Sequence, residues 1–160
     1  MNNYEVQAPN KVPGDLILLP RVFLGGSIEM DKAERWQDRL IKDMAEYQVL
    51  FLNPRRDDFR VWEEQSISNA YFVEQVEWEL SGLGSSDLIV FYLAPGTLSP
   101  ITLLEIGLFC KDRLHIICCP DGFGRKGNIE IVSRMFNFNI VDTYDDLISY
   151  MKLLYQGSEI

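Results

Sequence analysis

Histidine is almost missing from this chain. His115 is the single one in 160 residues, and cysteine is limited to Cys110, Cys118 and Cys119. A Ser-His or Cys-His nucleophilic pair therefore lacks its parts, and so does a cluster of imidazole or thiolate metal ligands. His115 sits inside the strand-like run Leu114-His115-Ile116-Ile117 and is expected as a core or strand-edge residue. An odd number of cysteines, all in or beside apolar runs, reads as reduced core thiols of a cytoplasmic protein. Basic residues are short as well: 15 Lys and Arg against 24 Asp and Glu give a net charge of -9. That balance argues against nucleic acid and anionic membrane as partners, since both need clustered cations. No apolar run approaches the ~20 residues of a membrane span, and no signal peptide opens the chain. The turn after the first strand, Gly25-Gly26-Ser27, is neither the dinucleotide GxGxxG nor the P-loop pattern, so a nicotinamide or flavin cofactor is not expected, and no cofactor or metal is assigned.

What is present is an ordinary globular composition, with 47% hydrophobic and 24% charged residues, enough for one domain with a full core. Residues 1–14 are polar, carry Pro9, Pro13 and Gly14, and read as a flexible arm ahead of a domain over 15–160. Arg21-Val22-Phe23-Leu24 is the first strand, followed by a helix over 31–47, a strand over 49–52, and a long polar stretch to residue 69 that reads as a lid or an insert. A helix over 70–83 buries Phe72, Val76, Leu80 and Leu83, with Glu79 in the middle of the stripe. Strands over 87–92, 114–119 and 139–141 alternate with helices over 98–109 and 129–136. A last helix opens with Thr143 as cap and Asp146 three residues on.

This alternation predicts a single doubly wound α/β domain, a five-stranded parallel sheet with helices on both faces in a flavodoxin- or Rossmann-like arrangement. Ligands of such sheets bind outside the carboxyl ends of the strands, where strand order reverses. Gly25-Gly26-Ser27, the turn from Asn53 through Arg55 and Arg56, and the turn over 94–99 all follow strands and converge on that edge. The glycines let a ligand approach the backbone, or simply make a tight turn. The loop 120–128, ending at Asn128, holds Arg125 and Lys126 and is open to two readings, a phosphate contact or a plain turn.

Glu105 is the single ionisable residue between Leu98 and Cys110, on the same helical face as Ile101, Leu104, Leu108 and Phe109. A carboxylate on an apolar face must be paired, open to a cleft or neutralised. Position alone leaves both a structural and a catalytic role open.

As a set, Phe23-Leu24-Gly25-Gly26-Ser27-Ile28, Asn53-Pro54-Arg55-Arg56-Asp57-Asp58, Gln75-Val76-Glu77-Trp78-Glu79-Leu80 and the stretch from Ser99-Pro100 to Glu105-Ile106-Gly107 are specific. Over about residues 22–151 the chain resembles the nucleoside 2-deoxyribosyltransferase family, in particular its divergent "like" branch. The resemblance implies that Glu105 is the nucleophile that attacks C1′ of the sugar. It also implies that Glu79, eight positions before Asp87, handles the departing base, and that Gly26, Ser27 and Ser99 lie near the substrate, while Gly25, Asn53, Arg55, Arg56 and Asn128 are candidate substrate-binding residues from their places at the sheet edge and in the 120–128 loop. A nucleoside or nucleotide is the implied small-molecule partner, and a homo-oligomer the implied assembly. Transferases of the main branch carry an aspartate where this chain has Ser99, whereas related 2′-deoxynucleoside 5′-monophosphate N-glycosidases have serine there.

The residue chemistry agrees, because a carboxylate stabilises or captures an oxocarbenium-like centre and a second carboxyl in an apolar setting protonates the leaving base. Cleavage of a (deoxy)nucleoside with deoxyribosyl transfer to another base is the leading expectation. The alternatives are hydrolysis of a nucleoside 5′-monophosphate and a non-catalytic nucleotide-binding or sensor module.

Overall fold

In a computed structural model, residues 4–28, 33–58 and 60–157 are described. In chain order the elements are β1 (Glu5–Gln7), β2 (Arg21–Gly26), α1 (Trp36–Asp43), β3 (Leu50–Asn53), α2 (Arg60–Glu63), α3 (Ala70–Ser85), β4 (Leu88–Tyr92), α4 (Pro100–Phe109), β5 (His115–Cys118), α5 (Lys126–Phe136), β6 (Ile140–Val141) and α6 (Tyr144–Leu154). The strands form one sheet in the order β1-β3-β2-β4-β5-β6. All neighbours are parallel. The expected doubly wound α/β architecture is therefore present, with six strands rather than five. The additional strand comes from the segment read as an arm. Val6 pairs with Leu52, and the flanking side chains grip the end of β3, where Asn53 Nδ2 donates to Glu5 at 2.7 Å and Gln7 Nε2 to the Arg55 carbonyl at 2.7 Å.

Period-two alternation sorts each central strand between two cores. Leu24, Val90, Tyr92, Ile116 and Cys118 face α1 and α6, meeting Trp36, Leu40, Leu147 and Met151. Phe23, Leu52, Ile89, Phe91 and Ile117 face Leu83 of α3, Ile106 of α4 and Ile129 of α5. Each fully buried side chain of this size contributes about 2 kcal/mol. The sheet is thus rigid on both faces, and the loops at its carboxyl edge are held by it. Order reverses between β2 and β4, the neighbours at the centre.

Three expectations change in detail. The first helix is shorter than 31–47, beginning at Trp36, and the expected start at residue 31 lies outside the described residues. The segment to residue 69 contains the short α2. The helices α3 and α4 also bury only part of the face their apolar pattern predicts. In α3 the buried residues are Gln75, Gly82 and Leu83, while Leu80 is 42% exposed. In α4 they are Thr102, Glu105 and Ile106, and Ile101, Leu104 and Leu108 are more than half exposed. The cause is that α4 is apolar around most of its circumference, so periodicity carries little information, and both helices place polar groups inward near the carboxyl edge. The capping at Thr143 is as expected, with its hydroxyl accepting from Asp146 N at 3.1 Å.

Candidate active site

Ser99 caps α4 in the left-handed conformation (φ 45°, ψ 51°), with Pro100 as the first helical residue. Proline is preset for that position, so the helix starts sharply. Glu105 lies in the next turn, on the inward face, 7% exposed. Among the described residues no donor or cation meets its carboxyl, so the arginine or backbone partner of the structural reading is not found there. Burial first, and the nearby Glu79 charge second, push Glu105 up to about 8.

The helix that holds Glu79 is fixed at its start by Asn69, whose side chain accepts from Tyr71 N and Phe72 N. Burial pushes Glu79 up to about 7, opposed by a hydrogen bond from Gln75. That donor is Gln75 Nε2, 2.8 Å from Glu79 Oε1 and 2.7 Å from the Pro54 carbonyl. The structure therefore brings the two sequence-predicted carboxyls together, from neighbouring helices on one face of the sheet.

Gly26 ends β2 with φ 145°, and a Cβ there would run into the Tyr92 carbonyl oxygen and lie 2.9 Å from Tyr92 N. Only glycine lets β2 and β4 stay paired to this point. Ser27 follows, its N–H bonded to the Tyr92 carbonyl at 2.9 Å and its hydroxyl accepting Ala94 N–H at 2.9 Å. The same hydroxyl lies 2.6 Å from Ser99 Oγ and 2.9 Å from Thr97 Oγ1, and Thr97 lies 2.9 Å from Ser99. Thr97 donates its own proton to the Ala94 carbonyl. This hydroxyl cluster locks the loop after β2 to the loop after β4.

Beside the cluster is a cleft of about 570 Å³ lined by Ala33, Glu34, Tyr92, Ala94, Pro95, Gly96 and Thr97. The Tyr92 hydroxyl is driven above its usual range by burial first and then by the nearby Glu34 carboxylate. Glu79 and Glu105 do not line this cleft. Thr97 and Ser99 connect the two regions, since Thr97 lines the cleft and Ser99 opens the helix that carries Glu105.

The remaining predicted residues divide. Asn53 is buried and accepts Arg55 N–H at 3.0 Å. The Arg55 guanidinium is buried and donates to the carbonyls of Ala33 at 2.6 Å and Glu34 at 2.8 Å and to Gln37 Oε1 at 3.2 Å. Arg56 pairs with Glu74 at 3.0 Å and Asp58 at 3.2 Å. The Asn-Pro-Arg turn is thus bonded into the frame of the site, joining the loop after β2 to β3 and α3. Asn128 is exposed in the first turn of α5, and no described hydrogen bond ties it to the carboxyls. Sequence reasoning missed Gln75, Thr97 and the Glu34–Tyr92 pair. Gln75 had a usable signal, since it lies one helical turn before Glu79 on the same face.

Among the described residues no group of three or more His, Cys, Asp or Glu is placed to hold a metal ion, and no helix is long and apolar enough to cross a membrane. His115 is buried between Arg113 and Asn139; Asn139 N–H donates to its Nε2 at 3.2 Å, so Nδ1 carries the proton and donates to the Arg113 carbonyl at 2.8 Å.

No curated protein matches the chain. Among solved structures it is similar to the crystal structure of a conserved protein from Enterococcus faecalis V583, with a TM-score of 0.57 at 13% identity, over 85% of this chain and 99% of that one. That likeness supports the fold. The family model for "nucleoside 2-deoxyribosyltransferase like" proteins matches residues 19–123, which takes in the Gly25-Gly26-Ser27 turn, the Asn53–Arg56 turn, Glu79, Ser99 and Glu105, and the chain belongs to that family.

Proposed function

We propose that the protein cleaves the N-glycosidic bond of a (deoxy)nucleoside and transfers the deoxyribosyl group to another nucleobase. The observation that carries this reading is the pair of inward carboxyls, Glu79 pushed up to about 7 and Glu105 to about 8, with no described cation to neutralise them. Structural carboxylates are kept ionised by partners, whereas these are kept poised between their two states.

In the first step a Glu105 carboxylate oxygen attacks C1′. The C1′–N electrons pass to the base, which takes the proton of Glu79. In the second step a nitrogen of the incoming base attacks C1′, releases the Glu105 carboxylate and returns its proton to Glu79. The reactive state thus holds one proton, on Glu79; in the free pair Glu105, pushed to the higher value, holds it first, so the reactive form is the minor one-proton form of the pair. Because the Glu79 charge is part of what raises Glu105, a protonated Glu79 eases ionisation of the nucleophile. Water in place of the second base turns the same intermediate to hydrolysis.

A second reading, hydrolysis of a nucleoside 5′-monophosphate, is favoured by the Ser27–Thr97–Ser99 hydroxyls at the start of α4, where helix N–H groups suit an anion. The outward apolar row of Ile101, Leu104 and Leu108 supports a homo-oligomer, and the three unpaired buried thiols support a cytoplasmic setting. The test is chromatography of reactions with deoxynucleosides, ribonucleosides and their 5′-monophosphates, with and without a second base, for wild type and Glu105→Gln. A new nucleoside formed only with acceptor, and lost in the variant, is expected. Free base released fastest from a monophosphate would favour the second reading, and no turnover of any substrate would leave a binding module.

A further inference from the structure

Gln75 is 2% exposed, one helical turn before Glu79, and its amide has a single allowed orientation. Nε2 donates one proton to the Pro54 carbonyl at 2.7 Å and the other to Glu79 Oε1 at 2.8 Å. Reversing the amide would set its oxygen against the Pro54 carbonyl, two acceptors with no proton between them. The amide oxygen, buried, has no hydrogen-bond partner. A buried polar atom left unpaired is costly, so the arrangement is held for what Nε2 does.

We propose that Gln75 is a positioning residue for the leaving-base step: anchored on the Pro54 carbonyl, its Nε2 aims the Glu79 carboxyl and stabilises the carboxylate left when the proton departs. This rests on the reading of Glu79 as the acid. The other charged group facing Glu79 is Glu105 of α4, and no described lysine, arginine or histidine pairs with it. The bond from Gln75 is then the one described interaction that favours the ionised form of Glu79 against burial. A fixed donor that cannot become an acceptor lowers the cost of giving up the proton while keeping the carboxyl pointed the same way.

The test has two parts, each on Gln75→Met and on Gln75→Glu, with Gln75→Glu as the variant closer in size. First, carbon-13 carboxyl NMR follows the titration of Glu79 in the free protein. Both variants are expected to move its midpoint upward by half a pH unit or more, and an unchanged midpoint would overturn the proposal. Second, kcat/KM is compared on a purine deoxynucleoside and on 4-nitrophenyl 2-deoxyriboside, whose leaving group departs without protonation. A loss of at least tenfold on the nucleoside with less than threefold on the aryl glycoside is expected. Equal losses on both would mean a merely structural residue and would also overturn it. The NMR arm does not depend on turnover, so an inactive wild type would count against the proposed function and not against the hold of Gln75 on Glu79.

Discussion

Ser27 Oγ lies 2.6 Å from Ser99 Oγ, joining residues 72 apart in sequence and tying the end of β2 to the start of α4. Ser27 also accepts Ala94 N–H, a buried donor that has no second described partner once this hydroxyl is gone. Ser27→Ala is therefore expected to lower stability by about 2 kcal/mol and Ser99→Ala by less, read from urea unfolding midpoints. Equal losses would show that the Ala94 bond adds nothing.

Gly26 is required by its backbone. With φ 145° and Tyr92 backbone atoms against the Cβ position, Gly26→Ala must part β2 from β4 at the switch point. A loss of about 2 kcal/mol or more is expected, with the melting temperature as the readout. A neutral result would mean the turn has another conformation.

Much of the fold was legible because strands and turns were strongly marked. The runs around Phe23, Val90 and Ile116 and the cap at Thr143 announced themselves by branched and aromatic residues and by a capping box. The inward faces of α3 and α4 were not. Leu80, Ile101 and Leu104 looked like core and are exposed, because the positions that face inward near the edge carry Gln75, Thr102 and Glu105, with the partly buried Glu79 beside them. Glu79 and Glu105 were still found, since a lone carboxyl in an apolar stretch is itself a signal. Thr97 was not, as a threonine in a turn has nothing to distinguish it until the fold sets its hydroxyl against Ser27. β1 escaped because three residues are too few for alternation to show.

Arg55 is a candidate substrate-binding residue by sequence and in the structure holds three described protein acceptors. Arg55→Ala leaves them unpaired in the interior, so a stability loss of about 3 kcal/mol or more is expected, far beyond that of Arg35→Ala, whose described pairs are exposed. Thermal melts of the two variants check it. Similar small shifts in both would contradict the frame role.

Cys110 and Cys118 are pushed up to about 12 and Cys119 to about 11, all by burial first. Thiolate is the reactive form, so the native protein is expected to resist iodoacetamide at pH 8 and to take up three labels in denaturant. Rapid labelling of the native state, followed by mass spectrometry, would contradict their enclosure.

Glu105 makes stability fall with rising pH. Its carboxyl ordinarily ionises near 4.5 and in the fold near 8, so below 4.5 both states hold the proton and between 4.5 and 8 only the folded state does. That part of the stability is present at low pH and is lost as pH rises through the window, by up to about 1.4 kcal/mol per unit. Glu105→Gln has no proton to lose. Its stability relative to wild type is expected to rise between pH 5 and pH 8 by on the order of 3 kcal/mol, and parallel pH profiles would argue that Glu105 is ionised in the fold.

The most direct test of the central claim is intact-protein and peptide mass spectrometry after rapid acid quench of enzyme mixed with a deoxynucleoside and no acceptor base. A deoxyribosyl adduct on the peptide containing Glu105, absent in Glu105→Gln and discharged by adding a free base, is the predicted result. An adduct on another residue, or base release by Glu105→Gln at the wild-type rate, would contradict the assignment of Glu105 as nucleophile.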